Sequence, residues 1–208
     1  MVFLPQKQLG HQELVTPTGS DSLYPLARSG IADNGKEVYR SEGCAACHTQ
    51  QVRPQDVPHF GLRFTVAQDY LRDEPVQFGT LRLGPDLANV GARLPDANWH
   101  LVHLYDPRAL VEGSPMPKYP YLFEKRKVRG EGSQNALKFP QGYKGVEEGF
   151  EVVPTERAET LVAYLRSLRA DVSLRESPLP KPPEKGDTNA APAAAQGQSQ
   201  TNTNSPAK

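Results

Sequence analysis

Two cysteines are all that the 208 residues contain, and they stand three apart with a histidine directly behind the second: Cys44-Ala-Ala-Cys47-His48. This C-x-x-C-H run is the attachment signature of c-type haem. Cysteines at that spacing, at the end of a helix, can bond the two vinyl groups on one side of a porphyrin. The histidine that follows is then carried beneath the iron, where its imidazole can ligate. Three other readings of the same residues stand beside this one. A structural zinc site wants four Cys/His ligands; the fourth would come from His59, His100 or His103, and there is no second C-x-x-C. A thioredoxin-like dithiol belongs between a strand and a helix of a βαβ pattern, and no such pattern is visible. Two inert core thiols beside a histidine are the plainest reading.

A haem held by one histidine needs a sixth ligand or leaves an open site. Met116 is the only internal methionine and lies between two prolines, in Ser114-Pro115-Met116-Pro117. Its thioether is a soft neutral ligand, and Met/His ligation is the cytochrome c arrangement, which raises the potential and suits electron transfer. The flanking prolines stiffen the loop, so holding a weak iron–sulfur bond costs less entropy. A buried gap-filling methionine is the alternative. His100 and His103, three apart on a predicted helix, and His59 are the other candidates for this position.

Between the cysteines and Met116 lies Gly84-Pro85-Asp86-Leu87. A ligating histidine usually donates its other ring N–H to a carbonyl, which fixes the tautomer. Pro85 offers a free carbonyl and a fixed φ, and Gly84 lets the backbone approach the ring; an ordinary Gly-Pro turn would read the same way. Trp99, Arg82, Arg93 and Arg108 are candidates to pair with the haem propionates, since Arg matches carboxylates bidentately. Each arginine is otherwise a solvated surface charge.

Composition excludes several classes. With 24 basic and 24 acidic side chains the formal charge is zero, whereas a nucleic-acid binder needs a basic excess. Two cysteines cannot build a disulfide scaffold. The longest unbroken apolar run, residues 161–165, is far short of the roughly 20 residues of a membrane helix. No nucleophile–base pair and no phosphate-binding glycine loop is visible.

Along the chain, residues 1–30 are irregular, with Pro5, Pro17 and Pro25 and no sustained period. Asp33 or Asn34 can cap a short helix over 33–42 that offers Val38 and Tyr39. Residues 50–95 read mostly as loop, with one helical turn near 65–71. Asp96 caps a helix through Tyr105, stopped by Asp106-Pro107. Residues 124–153 are charged and Gly-bearing without clear period, which predicts an insertion over the surface. Leu161, Val162, Tyr164, Leu165 and Leu168 recur at helical spacing and predict the clearest helix, 155–169, packed across 33–42. Residues 177–208 hold almost no large apolar side chain and read as a disordered tail. The expected architecture is mainly α: one domain over 31–176, short helices and long loops round one covalently bound haem, the class I cytochrome c fold.

With these residues in hand, the chain resembles the mono-haem subunit II of cbb3-type cytochrome c oxidases, the FixO/CcoO family. The resemblance covers about 31–123. It rests on Gly-Lys-Glu-Val-Tyr39, on Glu42-Gly-Cys-Ala-Ala-Cys-His-Thr-Gln-Gln-Val-Arg-Pro54, and on Asp69-Tyr70. It continues through Gly79-Thr-Leu-Arg-Leu-Gly-Pro-Asp-Leu-Ala-Asn-Val-Gly-Ala-Arg93, Trp99-His-Leu-Val-His-Leu-Tyr-Asp-Pro-Arg108 and Ser114-Pro-Met-Pro-Lys-Tyr-Pro120. The Gln-Val-Arg-Pro and Trp-His-x-x-His-Leu-x-x-Pro-Arg runs are more particular than the haem motif. The resemblance implies haem thioether bonds at Cys44 and Cys47, proximal His48 and distal Met116. It also implies a relay role, passing electrons to a separate haem–copper subunit that reduces O2, with another cytochrome c subunit or a soluble cytochrome as donor. A free periplasmic shuttle and a haem enzyme with an open distal side are the competing functions. Subunits of this family carry an N-terminal membrane helix that doubles as the export signal. This chain opens on Val2-Phe3-Leu4-Pro5, as if cut just past such a helix. The expectation is a mis-set start or a truncated product, with the natural protein anchored at the periplasmic face; sequencing its intact N-terminus checks this.

Overall fold

The structure, a computed structural model, describes residues 13–17 and 20–180. Among them are four α-helices and one two-stranded sheet, joined by long loops with single 3-10 turns.

Helix α1 spans Gly30–Ser41, starting earlier than the expected 33–42. Ser29, not Asp33 or Asn34, is the cap: its Oγ accepts from Ala32 N at 3.3 Å. The reason lies in packing. Ala32, Gly35, Val38 and Tyr39 are buried on one face, so Ala32 already belongs to the apolar stripe. Asp33 then sits in the first turn, where its charge suits the helix dipole.

That face lies on α4, Glu156–Ser167, whose Leu161, Val162, Tyr164 and Leu165 are buried. Gly35 is the point of closest approach. A Cβ there would stand 1.8 Å from the carbonyl oxygen of Thr160, so only glycine lets the two backbones meet. Tyr39 and Tyr164 pack beside it with ring centroids 5.4 Å apart. The expected packing of Val38 and Tyr39 against Leu161, Tyr164, Leu165 and Leu168 is present in one core cluster. Each of these large side chains removed from water is worth roughly 1.5–3 kcal/mol.

The two remaining helices, α2 (Val90–Arg93) and α3 (Ala97–Tyr105), also touch α4. Asp96 caps α3 as expected, accepting from Asn98 N at 3.0 Å and Trp99 N at 3.2 Å. The turn expected near 65–71 is the 3-10 turn Ala67–Tyr70.

The segment 124–153 is not wholly irregular. Its ends form antiparallel strands, β1 (Phe123–Lys127) and β2 (Phe150–Pro154), with Phe123 opposite Pro154 and Lys127 opposite Phe150. Phe123 and Val152 are buried, and Leu137 joins the same core. The remainder of β1 is exposed, so neither strand carries the alternation that would mark it in sequence.

Ahead of α2, residues 50–89 hold only short 3-10 turns, and charge pairs tie them to the rest of the fold. Arg63 is 2% exposed, and a buried guanidinium must be paired. It donates to Asp69 at 2.6 and 3.0 Å, to Val172 O at 2.6 Å and to the Tyr24 hydroxyl at 3.3 Å. The Tyr24 hydroxyl itself donates to Asp69 at 2.5 Å. One side chain thus ties the N-terminal segment, the long loop and the stretch after α4. Arg28 pairs with Asp73 in the same region.

Part of the expected tail at 177–208 falls within the described residues. Ser177 is fully buried and its hydroxyl donates to Phe64 O at 2.6 Å; residues 181–208, like residues 1–12, lie outside the described residues. No described helix is long and apolar enough to cross a membrane.

Candidate functional site

Helix α1 ends at Ser41 with Glu42 as its cap, and Gly43, at φ +70°, turns the chain into the 3-10 turn Cys44–Ala46. The amides of Cys47 and His48 both donate to Cys44 O, at 3.2 and 3.0 Å. The two thiols and the imidazole are therefore displayed from one tightly wound stretch. Both cysteines are free and half-buried. Burial, reinforced by the charge of Glu42, pushes the Cys44 thiol up to about 12. A reactive dithiol requires the opposite shift. No three His, Cys, Asp or Glu side chains are gathered as a metal site among the described residues. His59, for its part, is exposed.

A second strand of chain runs along this turn. Gln50 N donates to Phe78 O at 3.0 Å, Thr80 N to Ala45 O at 2.8 Å, and the amides of Leu83 and Gly84 both to Cys47 O at 3.0 Å. Gly84 and Pro85 are thereby held against the His48 ring. The Nδ1–H of His48 donates to Pro85 O at 2.8 Å, which leaves the lone pair on Nε2. A Cβ on residue 84 would lie 2.3 Å from His48 Cε1, so a side chain there would displace the ring. Burial lowers the His48 pKa, opposed by the Pro85 carbonyl and the charge of Asp86; the shift favours the neutral imidazole that a ligand must present.

Asp86 went unnoticed in the sequence. It is fully buried and accepts from Thr49 Oγ1 at 2.6 Å, Gln51 N at 2.7 Å and Ala88 N at 2.9 Å. It thus staples the residues after His48 to the Pro85 turn. The one available signal was an acidic residue directly after Gly-Pro, the habit of an Asx turn.

The four residues singled out for carboxylate recognition fare differently. Arg82 is engaged by its own chain: it bonds Asp56 at 2.7 Å, Asp86 at 3.2 Å and Thr49 Oγ1 at 2.8 Å. Arg93 gives one nitrogen to Asp86 O at 2.7 Å, while its Nε is buried without a partner. Arg108 is exposed. Trp99 is half-buried and stacks on His103, centroids 4.7 Å apart.

Of the two helix histidines, His100 gives its Nε2–H to Leu94 O at 2.8 Å, which removes that nitrogen from ligation. His103 lies within electrostatic reach of His48: burial, then the charges of His100 and His48, lower it to about 4. Its Nδ1 is buried without a partner.

Met116 approaches from near the middle of the chain, 68 residues beyond His48. It is half-buried and packs on the same core as Cys44, Ala45, Leu101 and Tyr119. The stretch it belongs to is moored twice downstream of it. Tyr119 N donates to Leu104 O at 2.9 Å, and the Tyr121 hydroxyl donates to Glu42 at 2.6 Å. Burial, with contributions from both thiols, raises Tyr119 to about 12, so the Met116 segment and the cysteines share one locality.

No curated protein matches the chain. A sequence model of the family described as cytochrome c oxidase, mono-haem subunit/FixO, matches residues 21–147. That stretch is more than half of the chain and holds the cysteine pair, the Pro85 turn, α3 and the Met116 loop. Matched over all of these elements at once, the chain belongs to the FixO family, the mono-haem subunits of cbb3-type cytochrome c oxidases.

Proposed function

We propose that this chain is a c-type cytochrome of class I fold that relays electrons within its oxidase. Its haem would be bonded covalently by Cys44 and Cys47 and ligated by His48 and Met116. Bound in this way, the haem supplies a one-electron couple of raised potential. The observation that carries the reading is the His48 imidazole: Nδ1 is fixed on Pro85 O, and Nε2 is left as the free ligand atom. Three further features fit. Both thiols are free on one turn, Gly84 leaves room for the ring, and Met116 packs on the same core as Cys44.

The chain's own residues then divide the work. Pro85 sets the tautomer and orientation of His48, and Asp86 holds the Pro85 turn. Arg93, half-buried with its Nε unpartnered, and Trp99 would be the partners for propionates. Arg82 already has two carboxylates. The partners would be the haem–copper subunit that reduces O2, and another cytochrome c subunit or a soluble cytochrome as donor. The site of action would be the periplasmic face of the cytoplasmic membrane.

The test is a pyridine haemochrome assay, which counts covalent haem, together with the ferric absorption spectrum and the potential of the native chain and of Met116→Ala. The native protein is expected to carry one covalent haem and show the far-red sulfur–iron band. Met116→Ala should lose that band and fall in potential. An unchanged spectrum would transfer the sixth position to a histidine; a colourless native protein with both thiols open to alkylation would overturn the assignment. Co-purification with the haem–copper subunit separates the relay from a free shuttle.

A further inference from the structure

Asp106 closes the C-terminal end of α3 and is 6% exposed. Its carboxylate faces three donors from separate parts of the chain. Arg108 N reaches it at 3.3 Å from the following turn. Lys118 Nζ reaches it at 2.7 Å from two residues beyond Met116. The Tyr143 hydroxyl reaches it at 2.9 Å from the segment between the two strands. Tyr143 stacks on Phe139, centroids 4.5 Å apart, and Phe139 meets the edge of Tyr105 on α3. Upstream of Met116, its amide donates to Ser114 Oγ at 3.3 Å, and Ser114 is buried.

We propose that Asp106 is the positioning residue for the Met116 loop, and that Tyr143 makes the segment between β1 and β2 a brace upon it. This rests on the reading of Met116 as a haem ligand. A thioether bonds iron weakly, so its occupancy depends on how firmly the loop is held in place before the bond forms. Two prolines stiffen residues 115–117 internally but do not fix them to anything. Upstream, the Met116 amide bonds the buried Ser114 within the loop; downstream, Lys118 on Asp106 is the side-chain mooring nearest Met116, ahead of Tyr119 N on Leu104 O and Tyr121 on Glu42. Tyr143 shares the same carboxylate oxygen as Lys118, which keeps that oxygen aimed at the loop. The segment that carries Tyr143 lies far from the cysteines in sequence, and this contact assigns it a part in holding the ligand.

The test uses the full chain matured with haem, as Asp106→Asn, Asp106→Glu, Lys118→Met and Tyr143→Phe. Asn keeps the acceptor for Arg108 N and removes the charge, so capping and loop mooring are separated. The readouts are the far-red sulfur–iron band against temperature, azide binding to the ferric form, and the global unfolding midpoint. Asp106→Asn and Lys118→Met should bleach the band well below global unfolding and bind azide about threefold more tightly, the size expected of a half-exposed ion pair. Tyr143→Phe should move both in the same direction by less, and Asp106→Glu should restore part of the effect. If Asp106→Asn and Lys118→Met lower only the unfolding midpoint, with band and azide affinity as in the native chain, Asp106 is structural and the proposal falls. Should Asp106→Asn not fold, Lys118→Met and Tyr143→Phe decide the matter by the same two readouts. A native chain that lacks the band altogether refutes the Met116 ligation itself, a different result from any of these.

Discussion

Gly84 is the residue whose replacement most directly tests the site. An alanine methyl would stand 2.3 Å from Cε1 and 2.8 Å from Nδ1 of His48, and neither the ring nor the backbone, pinned by its amide to Cys47 O, can yield without breaking a bond. Gly84→Ala is expected to cost roughly 1–3 kcal/mol as overpacking and to lower haem content per chain, read by haemochrome absorbance and a denaturation midpoint. Full haem content with an unchanged midpoint would show that the ring has another place to sit. The histidine–carbonyl contact itself was legible in sequence. Gly-Pro is a local signal, and Pro85 has an acceptor with no donor of its own. Which carboxylate an arginine meets was not legible. Arg82 reads in sequence as a candidate for a haem propionate, yet it bonds Asp56 and Asp86. A charge carries no direction until the chain has closed round it.

At the scale of elements, the contact of α1 with α4 is the joint on which the fold turns. Gly35→Val should push the helices apart, because Thr160 O and Tyr164 Cβ occupy the space a side chain would need. The expected loss is about 3 kcal/mol or more, at the upper end of overpacking costs, measured as a drop in the urea midpoint. A variant as stable as the native chain would mean that the helices can slide. Helix α4 and the start of α3 were legible because their signals are local: apolar residues at helical spacing, and Asp96 as a capping side chain. The start of α1 was missed because its cap is an unremarkable Ser-Gly, and only contact with α4 shows that Ala32 belongs inside. The strands were missed for a different reason. Each buries so little that pairing across 22 intervening residues, 128–149, is what makes them strands.

For the whole molecule, buried ionisable groups set the response to acid. Burial pushes Asp56 up, but hydrogen bonds from Arg53 and Arg82 outweigh it and hold the carboxyl well below its ordinary value. Asp106 is lowered in the same manner, burial being outweighed by Lys118 and Tyr143. An unfolded chain takes up protons at these groups near pH 4, so their contribution is complete above about pH 4 and is lost as pH falls through the folded values. His103, lowered to about 4, acts earlier. Its unfolded form protonates near pH 6.5 while the folded one does not, so stability should already decline between about pH 6.5 and 4. Urea midpoints at pH 7, 5 and 3 are expected to fall in two stages; a flat profile from 7 to 4 would show that His103 is solvated. By itself the sequence determined whatever depends on near neighbours: the thiol–thiol–imidazole turn, the Pro85 acceptor, the stiff loop at Met116, and the helices marked by periodicity or an acidic cap. Only the tertiary structure decided the meeting of residues that lie far apart in the chain, such as Arg63 with Tyr24 and Val172, Glu42 with Tyr121, and Asp106 with Lys118 and Tyr143. The physical reason is that local order follows from steric and hydrogen-bonding preferences within a few residues. The partner of a buried charge is chosen by chain closure, which makes leaving that charge unpaired more costly than any local preference.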